Sequence, residues 1–382
     1  EALFAGHVHK FWYHHHGETD CYLLPSTSNV RQDHSEIFRA TPTPEMESGR
    51  NDIWKVGYVL VAVYENGHVY HLRRTTGMLL EKGEAFPDKS PVVAAVQSRE
   101  ANRSILGFEM RHPWSEITEV APSGALDNFE RKLVRNDYLL LAIWDMGVRS
   151  VQVPLHDFVD QVVRDRIAAL AATGIEFTVL SQGVPTTSQR KLLTDNANLI
   201  HRWEIATTVA SLPKVLPIIS GIKKITSMSV FLSKLHVDDG SKDDGSVHYH
   251  FINHGFVPED EEQISELYRD GAFKDAISGL VFYVARVESP WIKIAEINDL
   301  AKRTGIPAIA TVMMADPVPA HRQCDDLANA NRICEALVAS TVNANCEVFV
   351  DTFMDLDRGH SVRNGVIDRF CNPRLAYHVC RS

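Results

Sequence analysis

Two histidines one residue apart, His7 and His9, follow the apolar run Leu3-Phe4-Ala5 and Gly6. If the run is a strand, its pleat ends at the glycine, and the chain beyond can turn tightly enough to bring both imidazoles to one site. Neutral imidazole nitrogens held together suit borderline transition metals such as zinc, iron or manganese. The spacing alone is a weak signal, because a strand end with two surface histidines has the same pattern.

A second set of candidates closes a series of apolar runs further along the chain. In order these are His156 and Asp157, Ser181 and Gln182, Glu204, Ser220, Lys234 and His236, Arg286 and Glu288, Asp316, and Asp351 with Asp355. Together they offer acids, bases and cations, as a ligand pocket needs. Glu204, Arg286 and Asp351 are the catalytic candidates among them. Glu204 and Asp351 could form a glycosidase-like acid pair if their carboxyl groups lie several ångströms apart across a mouth. Lys234, His250 and His254 are candidates for holding substrate. His248, His250 and His254 could ligate a metal or meet substrate hydroxyls, and the i, i+2 spacing of the first two puts them on one face of a strand. Strand ends that meet water are polar in any case, so plain solvation gives the same ring. The run Asp238–Ser246 lacks the twelfth-position glutamate of a calcium loop and reads as a flexible acidic turn.

The stretch LFAGHVH, with Phe11-Trp12-Tyr13, the turn Gly17–Asp20 and then Tyr22–Ser28 after it, resembles the last motif of the calcineurin-like metallophosphoesterases. The resemblance continues through Val30–Arg39 and Lys55–Thr75, over roughly the first quarter of the chain. It implies a site of two adjacent divalent transition metal ions (Mn, Fe or Zn), with His7 on the second metal and His9 on the first. It also implies a small-molecule phosphate mono- or diester as substrate, hydrolysed by a metal-held hydroxide. The family's upstream Asp-x-His, Gly-Asp-x-x-Asp and Gly-Asn-His-Asp/Glu are absent, and Asn253-His254-Gly255 has the wrong neighbours. Because the chain opens at Glu1 inside what would be a domain, a missing N-terminal part of the same protein is the expected partner. On this reading the later domain binds substrate or regulates. The alternative makes that domain itself a sugar-processing hydrolase or isomerase, or a non-catalytic binding module.

Composition bounds these readings. The 382 residues exceed one typical domain, and 45% hydrophobic content is enough for a sizeable core. A balance of 39 basic to 49 acidic residues gives a net charge of -10, which argues against nucleic acid or an anionic membrane as partner. No apolar run reaches a membrane span. The six cysteines include no Cys-x-x-Cys, and Cys324 and Cys334 fall in one predicted helix, so reduced thiols and a cytoplasmic setting are expected. Gly-x-Gly-x-x-Gly after a strand, the P-loop pattern and Gly-x-Ser-x-Gly are all missing.

The elements that must position the candidates divide in two. Residues 1–76 read as short strands, the β-rich C-terminal remnant of a metallophosphoesterase sandwich, with a hairpin about Glu65-Asn66-Gly67. Residues 77–125 read as a connection, with strands at Ile105–Met110 and Ile117–Val120. Over residues 126–382 a strand, a loop and an amphipathic helix recur about eight times, the rhythm of an α/β chain folded as a (β/α)8 TIM-like barrel. The expected strands are Val151–Leu155, Glu176–Leu180, Leu199–Ile205, Val215–Ile219, Val230–Leu235, Leu280–Ala285, Ala308–Met313 and Val348–Thr352. The expected helices include Asp157–Ala172, Ser188–Asn196, Glu259–Phe273, Trp291–Thr304, Arg322–Ala344 and Gly365–Arg381. An open doubly wound sheet is the other fold considered.

Overall fold

A computed structural model describes residues 1–7, 11–27, 57–74, 106–110, 114–115, 117–120, 132–135, 138–236, 253–315, 325–355 and 364–381. His9, His248, His250, Asp316 and the run Asp238–Ser246 lie outside the described residues. The chain divides into two units, Glu1–Val96 and Gln97–Ser382.

In the first unit, β1 (Ala2–Ala5), β2 (Trp12–His16) and β3 (Thr19–Leu23) form a sheet in the order β1-β3-β2. Strands β4 (Gly57–Tyr64) and β5 (Gly67–Arg74) pair as a hairpin with Tyr64 opposite Gly67, so the turn falls on Glu65-Asn66 as the sequence predicts. Tyr22 anchors the aromatic side chains. Its ring stacks on Phe4 at 4.9 Å and lies 4.7 Å from Tyr70, while its hydroxyl bonds His68 Nε2 at 2.8 Å.

The second unit contains β6 (Leu106–Glu109), the antiparallel pair β7 (Ile117–Val120) and β8 (Lys132–Arg135), and then β9 (Ser150–Pro154), β10 (Glu176–Gln182) and β11 (Arg202–Thr207). After these come β12 (Ser229–Lys234), β13 (Gly279–Val284), β14 (Ala308–Val312) and β15 (Cys346–Val350). Strand β6 and strands β9 to β15 close a parallel barrel, with β6 joining β15 to β9. Helices alternate with the strands: α1 (Tyr138–Asp145), α2 (Gln161–Ala171), α3 (Thr187–Asp195), α4 (Leu212–Lys223), α5 (Glu261–Leu267), α6 (Gly271–Ala276), α7 (Pro290–Thr304), α8 (Asp326–Val342) and α9 (Leu375–Arg381).

Strand alternation sorts the side chains. Val151, Val153, Trp203, Ile205, Leu280 and Val348 share one core with helical residues such as Ile167, Ile219, Ile297 and Ile333, so they face outward between barrel and helices. Phe231, Val281, Ile309 and Phe349 form a separate cluster, which fills the barrel itself. Arg202 lies 4.6 Å over the Phe231 ring and pairs with Glu347 at 2.6 Å. Both faces of the sheet are therefore covered, which is why its strands read as nearly unbroken apolar runs.

Two strand assignments differ from the sequence reading. Val215–Ile219 belongs to α4, where Leu212, Val215, Leu216, Ile219 and Ile222 are buried at helical spacing. Its β-branched content resembles a strand only over a five-residue window, and Ser220 accordingly lies within a helix. The remaining barrel strand is β6, which comes from the stretch read as a connection. The stretch expected as one helix, Glu259–Phe273, is a 3-10 turn (Pro258–Asp260) followed by α5 and α6, since Asp270 caps a new helix at Ala272 N. The last helix is shorter than expected, beginning at Leu375.

Gly279 marks where packing is tightest. A Cβ there would lie 2.3 Å from the Phe231 ring and 2.7 Å from the Pro307 carbonyl, and the carbonyl belongs to backbone that cannot rotate away. Gly279→Ala is expected to cost about 1–3 kcal/mol, read as a lowered urea midpoint with an unchanged slope.

Candidate active site

All strands of the barrel run parallel, so the residues after the interior apolar cluster lead toward one end, the C-terminal mouth. There the inward side chains change character. Ser233 lies two residues beyond Phe231, Tyr283 two beyond Val281, Thr311 two beyond Ile309 and Asp351 two beyond Phe349, each on the same face as its predecessor. Gly107 faces inward, since a Cβ on it would meet the Phe349 ring, and so places Glu109 inward as well. Gln152 and Glu204 occupy the inward positions between outward-facing pairs of apolar residues. Glu109, Gln152, Glu204, Ser233, Thr311 and Asp351 are all buried.

Glu204 is at the centre of one half of this layer. Gln152 Nε2 donates to its Oε2 at 2.5 Å, and His254 Nδ1 stands 3.2 Å from its Oε1 and 2.7 Å from Ser233 Oγ. The hydrogen bond at Nδ1 is with Ser233 Oγ, which fixes the ring beside the carboxylate, and Glu204 Oε1 has no hydrogen-bond partner among the described residues. Glu109 is the register partner of Gln152 on the adjoining strand. Thr311 Oγ1 is buried with no hydrogen-bond partner among the described residues.

His254 reaches this layer through a local insertion. Strands β12 and β13 pair only over Phe231–Ser233 and Gly279–Val281. Beyond that point residues 253–256 take over the ladder: Gly255 N donates to Lys234 O, Phe256 N to Val281 O, and Tyr283 N to Phe256 O. The insertion turns at Gly255, whose φ is +124° and whose missing Cβ would stand 2.7 Å from Tyr283 N, so only glycine fits. His236 Nε2 bonds the Gly255 carbonyl at 2.7 Å, and its ring meets Tyr283 edge-on at 5.4 Å.

The other half of the layer carries guanidinium groups. Asp351 Oδ1 accepts from Met314 N at 2.7 Å. Arg332 donates to the carbonyls of Met313, Glu288, Val284 and Ala285. Burial, aided by the Arg286 charge beside it, pushes the Arg332 guanidinium down to about 10. Arg286 donates to Asn329 Oδ1 at 3.0 Å.

The structure thus brings Glu204 and His254 together, and places Arg286 and Asp351 together in the other half. Lys234 is taken up by an ion pair with Asp260 at 2.6 Å. Asp355 is held by Gly365 N and Arg374, and Glu288 accepts from Ala285 N. Ser181 accepts from the Trp203 indole within the outer core, and Asp157 accepts from the Trp114 indole with its carboxyl raised by burial. His7 is exposed at a φ of +81°, just after β1. Sequence reading missed Glu109, Gln152 and Ser233. The signal was present: a single polar residue inside an apolar strand covered on both faces, as in Val151-Gln152-Val153, has only the barrel interior to face.

No family model matches the chain, and no curated protein matches it. Solved structures similar to it include a candidate alpha-L-fucosidase from Bacteroides thetaiotaomicron, 10% identical over 69% of this chain and 91% of that one, with a TM-score of 0.42. An intracellular xylanase from Thermoanaerobacterium saccharolyticum is 10% identical over 61% of this chain and 87% of that one, at 0.41. A candidate dihydrodipicolinate synthetase from Pseudomonas aeruginosa is 11% identical over 64% of this chain and 69% of that one, at 0.33. Likeness at this level assigns no activity.

The expectation of a metal-dependent phosphoesterase is corrected. No family model, and so no phosphoesterase model, matches the chain. Among the described residues no group of three or more His, Cys, Asp or Glu side chains could hold a metal ion. Among the described residues His7, the described member of the expected pair, has no such group around it.

Replacing Gln152 by leucine removes the donor from a fully buried carboxylate oxygen. Gln152→Leu is expected to lower stability by about 2–3 kcal/mol, measured by urea unfolding at neutral pH, and Gln152→Glu by more.

Proposed function

We propose that the barrel is a sugar-processing hydrolase that uses Glu204 and Glu109 as its paired carboxyl groups. One observation supports this reading: Glu204 enters the polar layer of the mouth between Gln152 and His254, with a second carboxylate, Glu109, as the register partner of Gln152. Glycoside cleavage by paired carboxyl groups needs one that protonates the leaving oxygen and another that attacks the sugar or activates water. Glu204 and Glu109 are the two carboxyl groups that supply these roles. Gln152 fixes the orientation of Glu204 through its Oε2, and Ser233 holds the His254 ring beside the carboxylate. No step in this chemistry calls for a metal.

A non-catalytic binding barrel is the second reading, favoured by the burial of Glu204, which is 0% exposed. It differs in outcome, since it gives ligand binding without turnover.

The test is hydrolysis of a panel of aryl glycosides by the full chain and by Glu204→Gln, which preserves shape and removes the acid. The expected outcome is turnover of at least one glycoside and a loss of about a thousandfold in kcat/KM in the variant. Equal turnover by both proteins, or none by the unaltered chain on any glycoside, would remove this reading.

A further inference from the structure

We infer that the ligand of the barrel mouth carries an anionic group, a carboxylate or a phosphate, and that the guanidinium of Arg286 receives it. This names a substrate class for the hydrolase proposed above, and it rests on that reading for the sugar portion alone.

Arg286 lies two residues past β13, on the side of the barrel where the mouth opens. A relay of amides holds it from behind. Its Nη2 donates to Asn329 Oδ1 at 3.0 Å, Asn329 Nδ2 to Asn364 Oδ1 at 3.2 Å, and Asn364 Nδ2 to the Met314 carbonyl at 2.7 Å. Asn329 and Asn364 are each 1% exposed. Buried amides locked end to end give an arginine one fixed position, as a recognition group requires.

Among the described residues no ion pair neutralises the charge held there, and the acids around it have partners of their own. Asp351 Oδ1 accepts from Met314 N, and Asp325 caps α8 through Leu327 N and Ala328 N. Glu288 accepts from Ala285 N and stands 3.5 Å from Lys293, while Glu335 accepts from Ser289 Oγ. The second guanidinium, Arg332, gives its protons to backbone carbonyls and so adds positive charge while its own donors are occupied. Burial pulls the Arg286 pKa down, opposed by Asp351 and Asp325, so its charge is only partly relieved by its surroundings. A guanidinium has five N–H groups in a planar fork that matches two oxygens of a carboxylate or phosphate. Within the described protein, one of these has a hydrogen-bond partner.

The test is calorimetric binding at low salt, with glucose, glucuronate, glucose 6-phosphate and inorganic phosphate as probes of the full chain. The expected result is that an anionic sugar binds at least about tenfold tighter than glucose. Arg286→Gln should bring the two within about twofold of each other, with Arg286→Lys between them. Glucuronate ahead of glucose 6-phosphate assigns a carboxylate, and the reverse order, with inorganic phosphate also binding, assigns a phosphate. Asn329→Leu, which releases the arginine without altering its charge, should weaken the preference, and a folded Asn329→Leu serves as the reading if Arg286→Gln does not fold. Equal affinity for glucose and both anionic sugars overturns the inference, as does an undiminished preference in Arg286→Gln. Glu204→Gln should keep the preference, so absence of hydrolysis with the preference intact counts against the hydrolase alone. Hydrolysis of neutral glycosides without the preference counts against Arg286 alone.

Discussion

A carboxylate with no exposed surface can remain inside a barrel only if donors meet it there, because the interior returns none of the solvation that water gave. Glu204 is the side chain in that position, and much of the upper barrel is arranged around it. Gln152 is held inward by the alternation of β9, and His254 is brought in by an insertion that depends on a glycine. Take away either neighbour and the carboxylate has to acquire a proton or draw in water. The polar layer is therefore a single unit whose parts are not independently replaceable.

The two halves of the mouth meet this demand in different ways. Around Glu204 the partners are neutral or titratable side chains: an amide, a hydroxyl and an imidazole. In the other half Asp351 accepts from the Met314 backbone N–H, and the two guanidiniums spend their recorded donors elsewhere, Arg332 on carbonyls that follow or end β13 and β14 and Arg286 on Asn329. The first half holds protons that can move. The second holds charge that cannot, since arginine stays ionised under all ordinary conditions.

Much of this was legible in the residues. The strand and helix rhythm pointed to the barrel, strand ends to Glu204, Arg286 and Asp351, and the histidine cluster His248, His250 and His254 to His254. What could not be read was what pairs with what. Lys234, a candidate for holding substrate, is paired with Asp260, 26 positions later. Val215–Ile219 misled because a five-residue window cannot separate a strand from one face of a helix, whereas the buried positions from Leu212 to Ile222 can. β6 was legible as a strand at Ile105–Met110, but its place in the barrel was not, since no helix-and-strand repeat leads up to it. The histidine pair at the chain start carried a family pattern without the remaining ligands, and a pattern of that kind has no chemistry by itself.

The insertion of residues 253–256 between β12 and β13 changes the shape of the barrel as well as its contents. At the level of Phe231 eight backbone segments form the circumference, while at the level of Tyr283 there are nine. Because the width of a closed sheet grows with the number of segments around it, the wall flares on that side. The added segment is the one that carries the imidazole of His254.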